Sequence, residues 1–238
     1  MKIRAFTVLF AISCSLFAQT TFNSTPARTF GQPSLSSGSL TSASPLLSGS
    51  PNLIEGREMY RPQALVFDTS SNPPVVYVVD TFNNRVLGWK NPASLAKGAY
   101  ADVAVGQTNL SSTRKGGPGT SQSTGLYLPT SAAVDSQGRL YVVDSGNNRV
   151  LRFPKPFSLS DPDMVIGQTS FSSSGGVLAN IANQGAAVPD ATRLFLANSS
   201  GLFATAAVFD SAGNLWLTDP GNNRVLRYSA SSLSKTTQ

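Results

Sequence analysis

The chain has 238 residues, a net charge of +6 and no histidine, and only 13% of its residues are charged. That charged share is about half the ~25% of an average soluble domain, and with 20 Gly and 15 Pro it favours short strands joined by turns over long helices. The missing histidine excludes Ser-His-Asp and Cys-His nucleophilic sites and His-ligated zinc.

Residues 1–18 have the layout of a secretory signal peptide: Lys2 and Arg4, an apolar run from Ala5 to Phe17, then Ala18 before Gln19. The run is short for a permanent membrane anchor, so no transmembrane span is expected. Export follows as the expectation, to the periplasm, the cell surface or the medium. Lipid attachment at Cys14, after "AISC", is the lesser alternative, since Ala11 fits a lipobox poorly. Cys14 is the only cysteine, so a cleaved chain would have no thiol for disulfides or metal ligation. Loss of Lys2 and Arg4 would leave a charge of +4 with no basic run longer than Arg114-Lys115, and no nucleic-acid partner is expected.

Residues 19–59 read as a strand at 28–33, "RTFGQP", and a Ser-rich linker. From residue 60 one phrase recurs. "YVVDTFNNRVLGW" ends at Trp89, "YVVDSGNNRVLRF" ends at Phe153, and "WLTDPGNNRVLRY" ends at Tyr228. Each copy follows a shorter apolar run that closes in Asp68, Asp135 or Asp210, giving three short runs parted by turn residues. "DSQG" and "DSAG" place Asp first and Gly fourth, as a type I turn prefers. The phrase therefore predicts an antiparallel meander. A fourth strand is expected at "VAVGQT" (103–108) and at "MVIGQT" (164–169).

The repeat opens at Asp80, Asp144 and Asp219, a period of 64 and then 75 residues. One four-stranded unit of about 40–45 residues plus an insertion accounts for it. The units are 60–112, 128–174 and 202–238, within a region spanning 60–238, and the long insertions are 113–127 and 175–201.

These units resemble the NHL repeat, whose members build β-propellers from four-stranded blades, commonly six of them. The resemblance covers residues 60–229 and implies an all-β propeller of which about three blades are present. Three blades fall short of the roughly four to eight that close a ring. The expected outcomes are a partial chain, an open arc, or a homodimer completing a six-bladed ring. Some members are enzymes, including amidating lyases with a histidine-bound metal and lactonase-like propellers with a central cation. The first site is impossible here.

No catalytic residue and no metal ligand is assigned. Asp68, Asp80, Asp135, Asp144, Asp210 and Asp219 could lend oxygens to calcium, but an Asp fixed in every repeat is read as a turn former. Arg85, Arg149 and Arg224 could face an acidic ligand. They are read instead as partners of the Asp of their own or the next blade. Strand alternation puts Arg152 and Arg227 at the surface, while Tyr77, Tyr141 and Trp216 share one slot and are read as core between blades. Function in repeat proteins tends to sit in the loops that differ, which makes Arg114, Lys115, Asp190 and Arg193 the ligand-binding candidates. The leading expectation is a non-catalytic module binding a protein or a cell-envelope glycan. A lactonase- or lyase-type enzyme with an oxygen-ligated metal, and a structural surface repeat, are the alternatives.

Overall fold

A computed structural model describes residues 54–95, 98–116, 125–158, 161–171, 181–198 and 201–234. The signal segment with Cys14, the strand at 28–33, the Ser-rich stretch, residues 172–174 of the second unit, and residues 117–124, 175–180 and 199–200 of the insertions lie outside them.

The recurrent phrase forms the same meander each time. Blade 1 is β1 (Ala64–Asp68), β2 (Val75–Asp80), β3 (Arg85–Trp89) and β4 (Val103–Val105), antiparallel and in chain order. Blade 2 repeats this with β5 (Ser131–Val134), β6 (Leu140–Asp144), β7 (Arg149–Phe153) and β8 (Met164–Ile166). A two-stranded hairpin of β9 (Ala197–Asn198) and β10 (Gly201–Leu202) leads into blade 3. There β11 (Ala207–Phe209), β12 (Leu215–Asp219) and β13 (Arg224–Tyr228) form three strands, followed by the short helix α1 (Ala230–Leu233). The chain is therefore all-β, built of propeller-type blades.

The expected turn chemistry is present. Asp135 Oδ1 accepts the N–H groups of Gln137 and Arg139 at 2.9 and 3.1 Å, and Gly138 takes φ +74°. Asp210 and Gly213 do the same in blade 3, at 3.0 and 2.9 Å from Ala212 and Asn214 and with φ +78°. At the other end of the blade the second Asn of each pair, Asn84, Asn148 or Asn223, carries the left-handed step at φ 54°, 51° or 52°. Asn tolerates that region better than most residues with a side chain.

Blades stack face to face. Residues of a strand alternate between a front, toward the following blade, and a back, toward the preceding one. Tyr77, Val79 and Val86 on the front of blade 1 meet Ala132, Leu140, Val142 and Leu151 on the back of blade 2. Ala133, Tyr141, Val143 and Val150 on the front of blade 2 meet Leu215 and Leu217 of blade 3, with Leu194, Leu196 and Leu233 filling the rim. A third cluster, Val76, Val78, Leu87 and Trp89, lies on the back of blade 1 beneath Met59, Leu95 and Leu110. With both faces covered, every residue of β2, β3, β6 and β7 is buried. In β12 and β13 burial alternates, because only the back is covered.

This corrects one expectation about arginine. Arg152 is only 2% exposed, because the front of blade 2 is an interface rather than a surface. Its guanidinium pairs with Asp163 at 2.6 Å, lies 5.9 Å from the Tyr141 ring centre, and donates to the Leu233 carbonyl of blade 3. Among the described residues no helix is long and apolar enough to cross a membrane.

Candidate functional site

The repeated Asp-x-x-Asn-Asn-Arg motif has one geometry in all blades. In blade 2, Asp144 Oδ2 accepts from Arg149 Nε at 2.7 Å and from Asn147 Nδ2 at 2.8 Å, while Oδ1 accepts the Tyr127 N–H at 2.6 Å. In blade 1 the Asp80 carboxylate takes Arg85 at 2.7 Å, Asn83 at 2.9 Å and the Tyr60 N–H at 2.7 Å. In blade 3 Asp219 takes Arg224 at 2.7 Å, Asn222 at 2.8 Å and the Phe195 N–H at 2.7 Å. Burial pushes the Asp144 and Asp80 carboxyls upward, with the paired arginine and the N–H donors pulling against it.

The other arms of each arginine end on backbone carbonyls. Arg85 reaches Leu110 and Glu58, Arg149 reaches Phe171 and Gly125, and Arg224 reaches Asp190 and Arg193. Each pair thus clasps its own blade; in blades 1 and 2 it fastens the segments that lead in and out, and in blade 3 the segment that leads in. Both side chains of the Asp80–Arg85 and Asp144–Arg149 pairs are wholly inaccessible to solvent. Asp68 is buried as well and accepts from Ser70 at the first turn of blade 1.

A link that both junctions share comes from a residue the sequence did not single out. Asn84 Oδ1 accepts the Leu128 N–H of the next blade at 2.9 Å, and Asn148 Oδ1 accepts those of Leu196 and Ala197 at 2.7 and 3.1 Å. The Gly-Gln signature has a role in the same joint. Gly106 and Gly167 take φ +85° and +91°, and a Cβ on either would meet Leu126 or Leu194 at 2.5 Å. Gln107 then bridges the Asn84 and Arg114 carbonyls, and Gln168 those of Asn147, Asn148 and Ile181.

The four insertion candidates lie at the end of the blades that carries these Asn-Asn turns. The Lys115 ammonium sits 3.8 Å from the Tyr127 ring centre, and Arg114 is exposed while its backbone bonds Gln107. Asp190 pairs with Arg193 at 3.2 Å and accepts the N–H and hydroxyl of Thr192, which hold its carboxyl below the ordinary value. Among the described residues the ion pair found at these four positions is Asp190–Arg193, within one insertion.

A concave site lies at the opposite end, between blades 1 and 2. A cavity of about 410 Å³ opens beside the β1–β2 turn and the segment after β7. Its walls are Val75, Tyr77, Pro73, Pro154, Pro156 and Phe157, with Lys90, Lys155, Ser70 and Gln137 at the rim and Asp68 in its lining. The Lys90 ammonium stands 4.9 Å from the Phe157 ring centre. This combination of apolar wall and convergent polar groups suits a ligand. No motif marks Lys90, Lys155 or Phe157; the only signal was that they stand outside the repeated phrase. Among the described residues no group of three or more His, Cys, Asp or Glu could jointly hold a metal ion.

The NHL repeat family model matches residues 126–153, the lead-in and first three strands of blade 2. The chain carries an NHL repeat at those residues. Its three meanders share the geometry of that matched NHL repeat strand for strand. A comparison with curated proteins returns no match. Among solved structures, a streptogramin B lyase is similar over 71% of this chain and 38% of its own, at 10% identity and a TM-score of 0.37. A virginiamycin B lyase from Staphylococcus aureus aligns over 74% of this chain and 39% of its own, at 12% identity and 0.34. A catalytically inactive form of that lyase with quinupristin gives 74%, 57%, 12% and 0.32. The NHL-repeat chain spans about two-fifths of the first two structures, and likeness at these scores carries nothing about its activity.

Proposed function

We propose that the chain is an exported, non-catalytic NHL-repeat module that binds a protein segment in the groove between blades 1 and 2. One observation carries the reading: the acidic and basic side chains of the repeated motif are spent on each other and on backbone atoms, while the groove combines an apolar wall with two lysines that stand outside the motif. Groups consumed by the frame are not free to act on a substrate. Lys90 and Lys155 on the rim favour an acidic ligand, and Phe157 with Pro73, Pro154 and Pro156 favours an extended segment with apolar side chains. Export rests on the layout of residues 1–18.

The test is binding of the full chain to an array of acidic peptides, set beside a Lys90→Glu/Lys155→Glu double variant. The proposal expects micromolar binding that the double variant reduces at least about tenfold, with the circular dichroism spectrum of the folded chain retained because both side chains are exposed. Equal binding by both proteins, or no peptide bound, would overturn it. Binding to an envelope-glycan array that ignores both lysines would move the ligand to another face.

A further inference from the structure

The faces at the two ends of the stack carry the two halves of one contact. On the front of blade 3, Val208, Trp216 and Val225 are 59%, 40% and 61% exposed. They are paired in register as Ala133, Tyr141 and Val150 are in blade 2, and as Val66, Tyr77 and Val86 are in blade 1. In those blades the aromatic slot is shut: Tyr77 is 1% exposed and Tyr141 is 0%. On the back of blade 1, Leu65 and Phe67 are 54% and 52% exposed. Their counterparts Ala132 and Val134 in blade 2, and Ala207 and Phe209 in blade 3, each lie against the blade before.

One of the two existing junctions shows what joins these halves. Phe209 on the back of blade 3 meets the Tyr141 ring of blade 2 edge to face, with centroids 5.0 Å apart. Phe67 holds the position of Phe209, and Trp216 holds that of Tyr141. The front of blade 3 also repeats an arginine at the position of Arg152, since Arg227 lies 6.0 Å from the Trp216 ring centre. In blade 2 that arginine crosses the junction to the Leu233 carbonyl. The back of blade 1 is not flat: a cavity of about 340 Å³ opens beside Leu65, lined by Met59, Pro62 and Val78. That is room for part of a large side chain from the opposing face.

We propose that two copies of this chain associate front to back, the Trp216 face of one on the Phe67 face of the other. The occupant is a second copy because this chain displays both halves, each in register with a junction it already makes. A two-fold pair makes the contact twice and so covers the Trp216 front of blade 3 and the exposed β1 part of the blade 1 back at once. Exposed apolar faces of this kind on a folded chain mark interaction surfaces. The pairing goes beyond the ligand reading and does not depend on it.

Sedimentation velocity on the full chain, Phe67→Asp and Trp216→Asp is the test. Wild type is expected at twice the 24.9 kDa chain mass. Each variant alone is expected as a monomer, and their equimolar mixture as a dimer, because one intact Trp216–Phe67 contact survives only in the mixed pair. Both substitutions are at exposed positions, and an unchanged circular dichroism spectrum confirms the fold. Iodide quenching gives a second readout: of the two tryptophans Trp89 is buried and Trp216 is not, so quenching reports Trp216. Phe67→Asp in blade 1 is expected to raise quenching of Trp216 in blade 3. A monomeric wild type overturns the proposal, and so does a Phe67→Asp variant that remains dimeric with Trp216 protected, which would mean front-to-front pairing.

Discussion

At the scale of residues, one carboxylate can do opposite jobs in one repeat. Asp144 is buried against Arg149 and works as a clasp, whereas Asp210 is a half-buried turn residue. The Trp216 indole N–H and the Asn214 side chain donate to Asp210, and they lower its pKa to about 2. A lowered folded-state pKa means that the stabilisation is present above the ordinary carboxylate value of about 3.9 and is lost as pH falls through about 2. Acid titration followed by Trp216 fluorescence is therefore expected to show a transition between about pH 4 and pH 2 that Asp210→Asn removes. A transition that persists in Asp210→Asn would assign it to another carboxylate.

At the scale of elements, the strands and the first turns were legible because they rest on local chemistry. Period-2 alternation, Asp at the first turn position and Gly at the fourth are all within reach of a short window. The joints were less legible. Asn84 and Asn148 sit in turns, and nothing local shows that their amides reach the backbone of the next blade. Gly146 and Gly221 likewise do not hold positive φ; they leave room for Tyr127 and Phe195, whose rings a Cβ would meet at 2.4 Å. Arg152 was misplaced because alternation tells which face a residue takes, not whether that face is covered. Gly167 tests the joint directly. Gly167→Ala forces both a φ of +91° and a clash with Leu194, and is expected to cost about 2–3 kcal/mol in urea unfolding. Adding Leu194→Ala would not restore stability, since the backbone strain remains and a cavity replaces the clash. Full tolerance of the alanine would refute this account of the Gly-Gln signature.

At the scale of the whole molecule, recurrence and function separate. What repeats holds the blades together: the Asp–Arg clasps, the Asn bridges and the shared aromatic slot. The groove beside Phe157 and the end faces owe their character to residues outside that motif, or to repeat positions left without a neighbour. Trp216 is the clearest case, a core position by register that stands 40% exposed because no described blade follows. That exposure was beyond the sequence, which gives the slot but not its surroundings.

The central claim is that the repeated motif is frame. Urea unfolding of Asp144→Ala, Arg149→Ala and the double variant tests it most directly, because this pair is wholly inaccessible to solvent in the middle blade. Removing either partner leaves an uncompensated buried charge or its donors, so each single variant is expected to lose about 3–5 kcal/mol. The double variant is expected to lose clearly less than the sum, with a coupling of about 1–3 kcal/mol. Single variants within about 0.5 kcal/mol of wild type would contradict the claim and return the motif to the list of working parts.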